Sequence, residues 1–204
     1  MSNHLSCVKM KKYLLDKGYS NIGNGLYSTV FSKKDSDRVI KVSSDIDYWF
    51  IFAQYVISLQ EIPSIFPKIY SLSVKSDSRN EYSWYVAVVE RLEMTMQKFL
   101  DEYKNDDREK ILTDFSKIRS RFSWFNDSDD QRISKSMNEL LKLRSFEKEM
   151  SSHGNDIGWD LHNGNWMFRK NGTIVLTDPW SGIHYDKLKY PTRYKRVNDR
   201  LVIK

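Results

Sequence analysis

The sequence predicts an α+β protein, on three observations. Residues 26–31, 38–42, 68–72 and 82–90 are runs of β-branched and aromatic residues bounded by turn formers, the pattern of short strands. Residues 94–151 contain neither glycine nor proline and read as helix. Residues 166–168 and 173–176 flank Lys170-Asn171-Gly172, a second strand–turn–strand pattern. Strands gathered early, helices in the middle and a late hairpin give separate β and α regions.

In chain order, residues 2–17 predict an amphipathic helix that places Leu5, Val8, Lys12 and Leu15 on one side, with Gly18 as its stop. Residues 26–31 and 38–42 predict a hairpin about Lys34-Asp35-Ser36-Asp37. Residues 45–59, DIDYWFIFAQYVISL, are apolar enough for a mostly buried helix capped by Asp45 or Asp47. Ile62-Pro63 and Phe66-Pro67 punctuate the chain before the strand at 68–72, and residues 76–81 form a polar loop. The helical middle divides into 94–103, 108–122 and 130–150, with acidic connectors at Asp106-Asp107 and 126–130 that suit helix caps. Those connectors lack the glycine and terminal glutamate of a calcium loop. Residues 187–204 interleave lysine and arginine with tyrosine. A solvated terminal segment is the commoner outcome, with nucleic acid or an acidic protein surface as the alternative partner.

Composition narrows the class. At 204 residues, with 40% hydrophobic, 14% aromatic and 29% charged side chains, the chain can bury a real core and is neither disordered nor membrane-like. No apolar run reaches transmembrane length, and the first residues lack the apolar core of a signal peptide. Cys7 is the lone cysteine, which agrees with a reducing cytoplasm. A net charge of +6 favours an acidic partner or a nucleotide without naming one.

The chemistry is concentrated between Gly158 and Gly182, GWDLHNGNWMFRKNGTIVLTDPWSG. Asp160 can accept a hydroxyl proton, while Asn165 and Asp178 supply hard oxygens for a Mg²⁺ that bridges nucleotide phosphates. The hairpin at 166–176 explains how Asp178 returns to Asn165. An ordinary hairpin with solvated Asp and Asn turn residues would use the same letters. The start of the chain adds weight: Gly23-Asn24-Gly25 followed by Ser28 and Val30 follows the protein-kinase Gly-rich-loop pattern, with serine in the third glycine's place. Glycines there let backbone N–H groups approach phosphates, although turns need glycine anyway. Val39-Ile40-Lys41 matches the next strand, whose lysine clamps the α- and β-phosphates. Residues 82–92 then read as a strand leading into a loop, for which a plain sheet strand would use the same residues. In a kinase this is the hinge, where backbone groups near Glu90 and Leu92 would meet adenine and Val89 would control the back of the pocket. The helix glutamate that usually pairs with the lysine has no counterpart in mid-helix. Asp47 is the candidate substitute, with capping as its plainer role.

Taken together, GNGLYSTVFS with RVIKV, IFPKIYSL, YVAVVERLE and WDLHNGNWMF with GTIVLTDPWS resemble the kinase half of the serine/threonine protein kinases of T7-like bacteriophages, over roughly residues 20–182. The resemblance implies a two-lobed protein-kinase-like fold. A small antiparallel β N-lobe would span residues 1–92, and a truncated, mainly helical C-lobe residues 93–204. It further implies ATP and Mg²⁺ as cofactors, and an early viral protein that phosphorylates host proteins in the bacterial cytoplasm. By motif position Lys41 holds phosphates, Asp160 is the base, His162 shapes the catalytic loop, and Asn165 and Asp178 bind metal. The chain departs from the kinase pattern in several places. Gly158-Trp159 replaces His-Arg before the base, Asp178-Pro179-Trp180 replaces Asp-Phe-Gly, and no Ala-Pro-Glu segment follows. With no arginine beside the base, control by activation-loop phosphorylation is not expected. Two other functions remain open at this level: a small-molecule kinase of the aminoglycoside or choline type, and a kinase-like module that inhibits a host enzyme by binding alone.

Overall fold

The computed structural model describes residues 2–44, 47–76, 83–96, 98, 116, 135–152, 157–182, 194–197 and 200–203. Over these residues the fold is α+β, with three α-helices and antiparallel sheets. β1 (Ser20–Asn24), β2 (Ser28–Ser32), β3 (Arg38–Ser43), β4 (Ile69–Ser76) and β5 (Ser83–Glu90) form one sheet in the order β1-β2-β3-β5-β4. The expected hairpin is β2–β3, its turn made tight by Asp35 at φ 59°. β1, polar and glycine-bearing, carries no strand signal of its own and is held by pairing to β2.

Register decides which side chains share a face. Val30 on β2 lies opposite Lys41 on β3, Lys41 opposite Ala87 on β5, and Ala87 opposite Leu72 on β4. Because Cβ atoms alternate along a strand, Val39, Lys41, Ala87 and Val89 point one way and Ile40, Val42 and Val86 the other. α1 (Ser2–Asp16) covers the second face. Its buried residues are Cys7 and Leu14, with Met10 packed beside them, against Phe31, Val42 and Trp84. This corrects the expected helix face: Val8 and Leu15 are 53% and 52% exposed. The register that buries Cys7, Met10 and Leu14 is equally helical, and the sheet selects it. Gly18, at φ 77°, ends the helix as expected.

The first face carries the main core. α2 (Tyr48–Ser58) is buried from Tyr48 through Val56, as its unbroken apolar run requires. α3 (Lys135–Ser152) adds Leu140, Leu143, Phe146 and Met150 at helical spacing. Edge-on contacts of Phe52 with Phe66 and Trp180, and the stacking of Tyr55 on Phe146, join these elements into one cluster.

The second half also contains short strands. β6 (Met94–Thr95), β8 (Trp166–Phe168) and β9 (Ile174–Leu176) form a sheet in the order β6-β8-β9, and β7 (Ile157–Trp159) pairs with β10 (Trp180–Gly182). The β8–β9 turn is the expected one, with Gly172 at φ 78°. Met94 and Thr95 were expected to open a helix. Instead they pair with Phe168 and Met167. The remainder of the expected helix at 94–103 and that at 108–122 lie almost wholly outside the described residues. In the basic tail, β11 (Tyr194–Val197) and β12 (Arg200–Ile203) make a hairpin and β12 runs beside α2, while the rest of the tail lies outside the described residues.

One buried ion pair ties the two halves. Arg169, directly after β8, donates from Nε and Nη2 to the Glu90 carboxylate at 3.0 and 2.5 Å. Its remaining donors reach the carbonyls of Phe66 (2.9 Å) and Ser64. The Lys68 N–H adds a bond of 2.9 Å to Glu90 Oε1. The guanidinium fork thus fastens the end of β5, the 64–68 segment and β8 together.

Candidate active site

The pairing of β7 with β10 sets the site. It lets the Asp160 N–H donate to the Pro179 carbonyl at 2.8 Å, which brings the start of the Asp160 loop to the segment that bears Asp178. His162 then closes a single 3₁₀ turn, Asn163–Asn165, by accepting the Gly164 N–H on Nδ1 at 3.0 Å. A Cβ on Gly164 would stand 2.7 Å from His162 Cε1, so a side chain there would push the capping imidazole aside. His162 Nε2 lies 3.6 Å from Asp160 Oδ1. His162 thus holds the turn that follows Asp160.

Asn165 is the latch. Its Nδ2 donates to the Asp160 carbonyl at 2.6 Å, which commits the amide nitrogen and leaves Oδ1 for an outside partner. Its own carbonyl accepts the Thr177 N–H at 2.8 Å and the Thr177 hydroxyl at 2.9 Å. The residue after Thr177 is Asp178. The Asp160, Asn165 and Asp178 set is thus brought together by hydrogen bonds, as the hairpin spacing required.

Lys41 reaches the same place from β3. Its Nζ sits 4.0 Å from the ring centroid of Trp49 on α2. Burial pushes the Lys41 ammonium below its ordinary pKa, and the charges of Asp178 and Asp47 pull it back up. Of the two roles considered for Asp47, capping is the one its contacts show, and among the described residues no ion pair joins it to Lys41. Its Oδ1 accepts the Phe50 N–H at 3.1 Å and caps α2, while its charge acts on Lys41. The same oxygen accepts the Tyr85 hydroxyl at 3.0 Å. Burial, reinforced by Asp47, pushes the Tyr85 phenol well above its ordinary value, so it stays a donor.

Among the described residues, Asp178 is the carboxylate whose pKa is raised. Burial pushes its pKa up to about 6 and the charges of Asp47 and Asp160 add to this, against the opposing pull of Lys41 and His162. A buried acid faced by two further carboxylates is short of positive charge. Among the described residues, no three His, Cys, Asp or Glu side chains converge as a self-contained metal cage. The hard oxygens that could hold a metal here are Asn165 Oδ1 and the Asp178 carboxylate. Two hard oxygens suit Mg²⁺, which retains waters and shares phosphate oxygens rather than taking a full protein cage.

The Gly-rich loop lies at the β1–β2 reversal, with Gly23 and Asn24 ending β1 and Ser28 opening β2. The Gly23 N–H donates to Asn21 Oδ1 at 3.0 Å and the Gly25 N–H to the Ser28 carbonyl at 2.8 Å. In this conformation both glycine N–H groups are internally paired, where the sequence had them turned towards phosphates. Val30 pairs across from Lys41 on its face of the sheet, and Val89 is buried on that face beside Val39. At the hinge, the Glu90 N–H is taken by the Lys68 carbonyl at 2.9 Å and its side chain by Arg169. Among the described residues Leu92 has no backbone hydrogen bond.

Sequence reasoning did not find Trp49, Tyr85, Thr177 or Arg169. Each sits inside an apolar or turn-flanking run where its letter signals packing, and only cross-strand register reveals its partner. No protein-family model matches the chain, and no curated protein matches it.

Proposed function

We propose that the chain is an ATP-dependent serine/threonine protein kinase with a two-lobed kinase-like fold, divided near residue 92. The observation that carries this reading is the convergence of Lys41, Asp160, Asn165 and Asp178, drawn from opposite ends of the sequence into one charge-deficient site. The strand order β1-β2-β3-β5-β4, with α2 between β3 and β4, supports it as the order expected of a kinase N-lobe. The unpaired backbone at Leu92 supports an adenine contact there.

In this mechanism Lys41 binds the α- and β-phosphates, and the Val30, Val39 and Val89 side chains enclose the base. Asn165 Oδ1 and the Asp178 carboxylate hold Mg²⁺, which when bound offsets the charge of the phosphates. Asp160 orients a serine or threonine hydroxyl for in-line attack on the γ-phosphorus and takes the proton as the new O–P bond forms, while the bond from that phosphorus to the β–γ bridging oxygen breaks and ADP departs. His162 keeps the Asp160 loop in register. The substrates proposed are host bacterial proteins met in the cytoplasm, with the basic tail as a contact for acidic partners.

The test is incubation of the purified chain with γ-labelled ATP, Mg²⁺ and a bacterial lysate, beside Asp160→Ala and Lys41→Ala. Label on lysate proteins or on the chain, lost in both variants, is the expected result. Wild type that transfers no label while host proteins co-purify with it and with both variants would favour a binding module instead.

A further inference from the structure

We infer that Trp49 is the positioning residue for the phosphate lysine, holding Lys41 by its ring face and the metal-binding segment by its N–H; the inference rests on the kinase reading above. α2 offers no acidic side chain between Tyr48 and Ser58, so the usual lysine–glutamate pair cannot form there. Among the described residues no ion pair joins Lys41 to Asp47 or Asp178. The Trp49 ring centroid lies 4.0 Å from the ammonium nitrogen. That distance is well inside the range of a cation–π contact.

The indole is itself fixed from two sides. Its Nε1 donates to the Thr177 carbonyl at 2.9 Å, and its ring stacks on Tyr85 with centroids 5.6 Å apart and planes 8° from parallel. Tyr85 is pinned in turn by its hydroxyl on Asp47. One side chain therefore spans from Lys41 to the residue next to Asp178, and it sets the separation of the two groups that must meet the same phosphates. The device has a chemical consequence. A carboxylate partner competes with phosphate for the ammonium, whereas an aromatic face attracts the cation without neutralising it. Lys41 keeps its charge for the nucleotide, and Asp47 compensates from further away.

The experiment combines a structural and a kinetic readout on the full chain. The Lys41 ε-methylene signal, identified by its loss in Lys41→Arg, should be moved upfield by the indole ring current. Trp49→Phe should retain that displacement and lose about three-fold in kcat/KM for ATP. Trp49→Leu should abolish it and lose about ten-fold or more, while KM for the protein substrate stays unchanged. Trp49→Met repeats the aliphatic comparison with a more adaptable side chain should Trp49→Leu melt below the assay temperature. Aliphatic variants that transfer phosphate at the wild-type rate would overturn the role of Trp49 and leave the kinase reading standing. A wild type with the displaced lysine signal but no phosphotransfer would overturn the kinase reading, and the role of Trp49 with it.

Discussion

Two charged sites among the described residues treat burial in opposite ways. Glu90 and Arg169, 10% and 19% exposed at their side chains, satisfy each other through two donors, and the surrounding backbone takes up the rest. Around Asp178 the balance is left open: three carboxylates face one buried ammonium and one exposed histidine, with no direct ion pair to Lys41. The first arrangement is complete without a ligand and holds the two halves together. On the proposed kinase reading, the second is completed by cationic charge and phosphate oxygens. Buried charge marks structure where its partners are all present and function where they are missing.

The largest expected effect breaks the open site. Asp160→Asn should lower phosphotransfer by about 10²–10⁴-fold, the usual contribution of a positioned base, without lowering the melting temperature. The closed site should behave in the reverse way. Arg169→Ala leaves Glu90 buried without its partner and should cost roughly 3–5 kcal/mol of stability, read by denaturant unfolding. Arg169→Lys should recover little of it, because an ammonium cannot reproduce the fork.

A third effect comes from pH. Asp178 has a higher pKa folded, about 6, than its ordinary 3.8, so the folded state resists its ionisation. The penalty is absent below the unfolded value, grows between about 3.8 and about 6, and is constant above. Ligand-free protein should therefore be more stable near pH 5 than near neutrality, by about 1 kcal/mol, and Asp178→Asn should flatten that slope in melts taken across the range. The smallest change sharpens the same point. Asp47→Asn keeps a competent cap but removes a charge that raises Asp178, so the pH midpoint should fall while neutral-pH stability moves by less than about 1 kcal/mol.

Much of this was legible in the sequence, for physical reasons that also explain the gaps. β2 to β5, the β8–β9 hairpin and α2 announce themselves through long β-branched, aromatic or apolar runs and through turn residues such as Asp35 and Gly172. β7 and β10 are three residues long and include glycine, and each exists because of a partner some twenty residues away. α1 shows the limit of periodicity, since two faces of that helix are apolar enough and only the sheet beneath chooses Cys7 and Leu14 over Val8 and Leu15. In the site, Lys41, Asp160, Asn165 and Asp178 stand out as letters at telling distances. Trp49 is one aromatic among many in its helix, and its contact with Lys41 follows from a fold that places α2 on that face of β3. Glu90 was read as hinge backbone, and its side chain proved to be half of the clamp.

The most direct test of the open-site account is calorimetric titration with a non-hydrolysable ATP analogue, with and without Mg²⁺, of wild type, Asp178→Asn and Lys41→Ala. The account predicts saturable binding by wild type that strengthens with Mg²⁺. Asp178→Asn should lose the Mg²⁺ dependence, and Lys41→Ala should lose affinity whether or not the metal is present. Wild type that binds no nucleotide, or an Asp178→Asn variant with the full Mg²⁺ response, would contradict it.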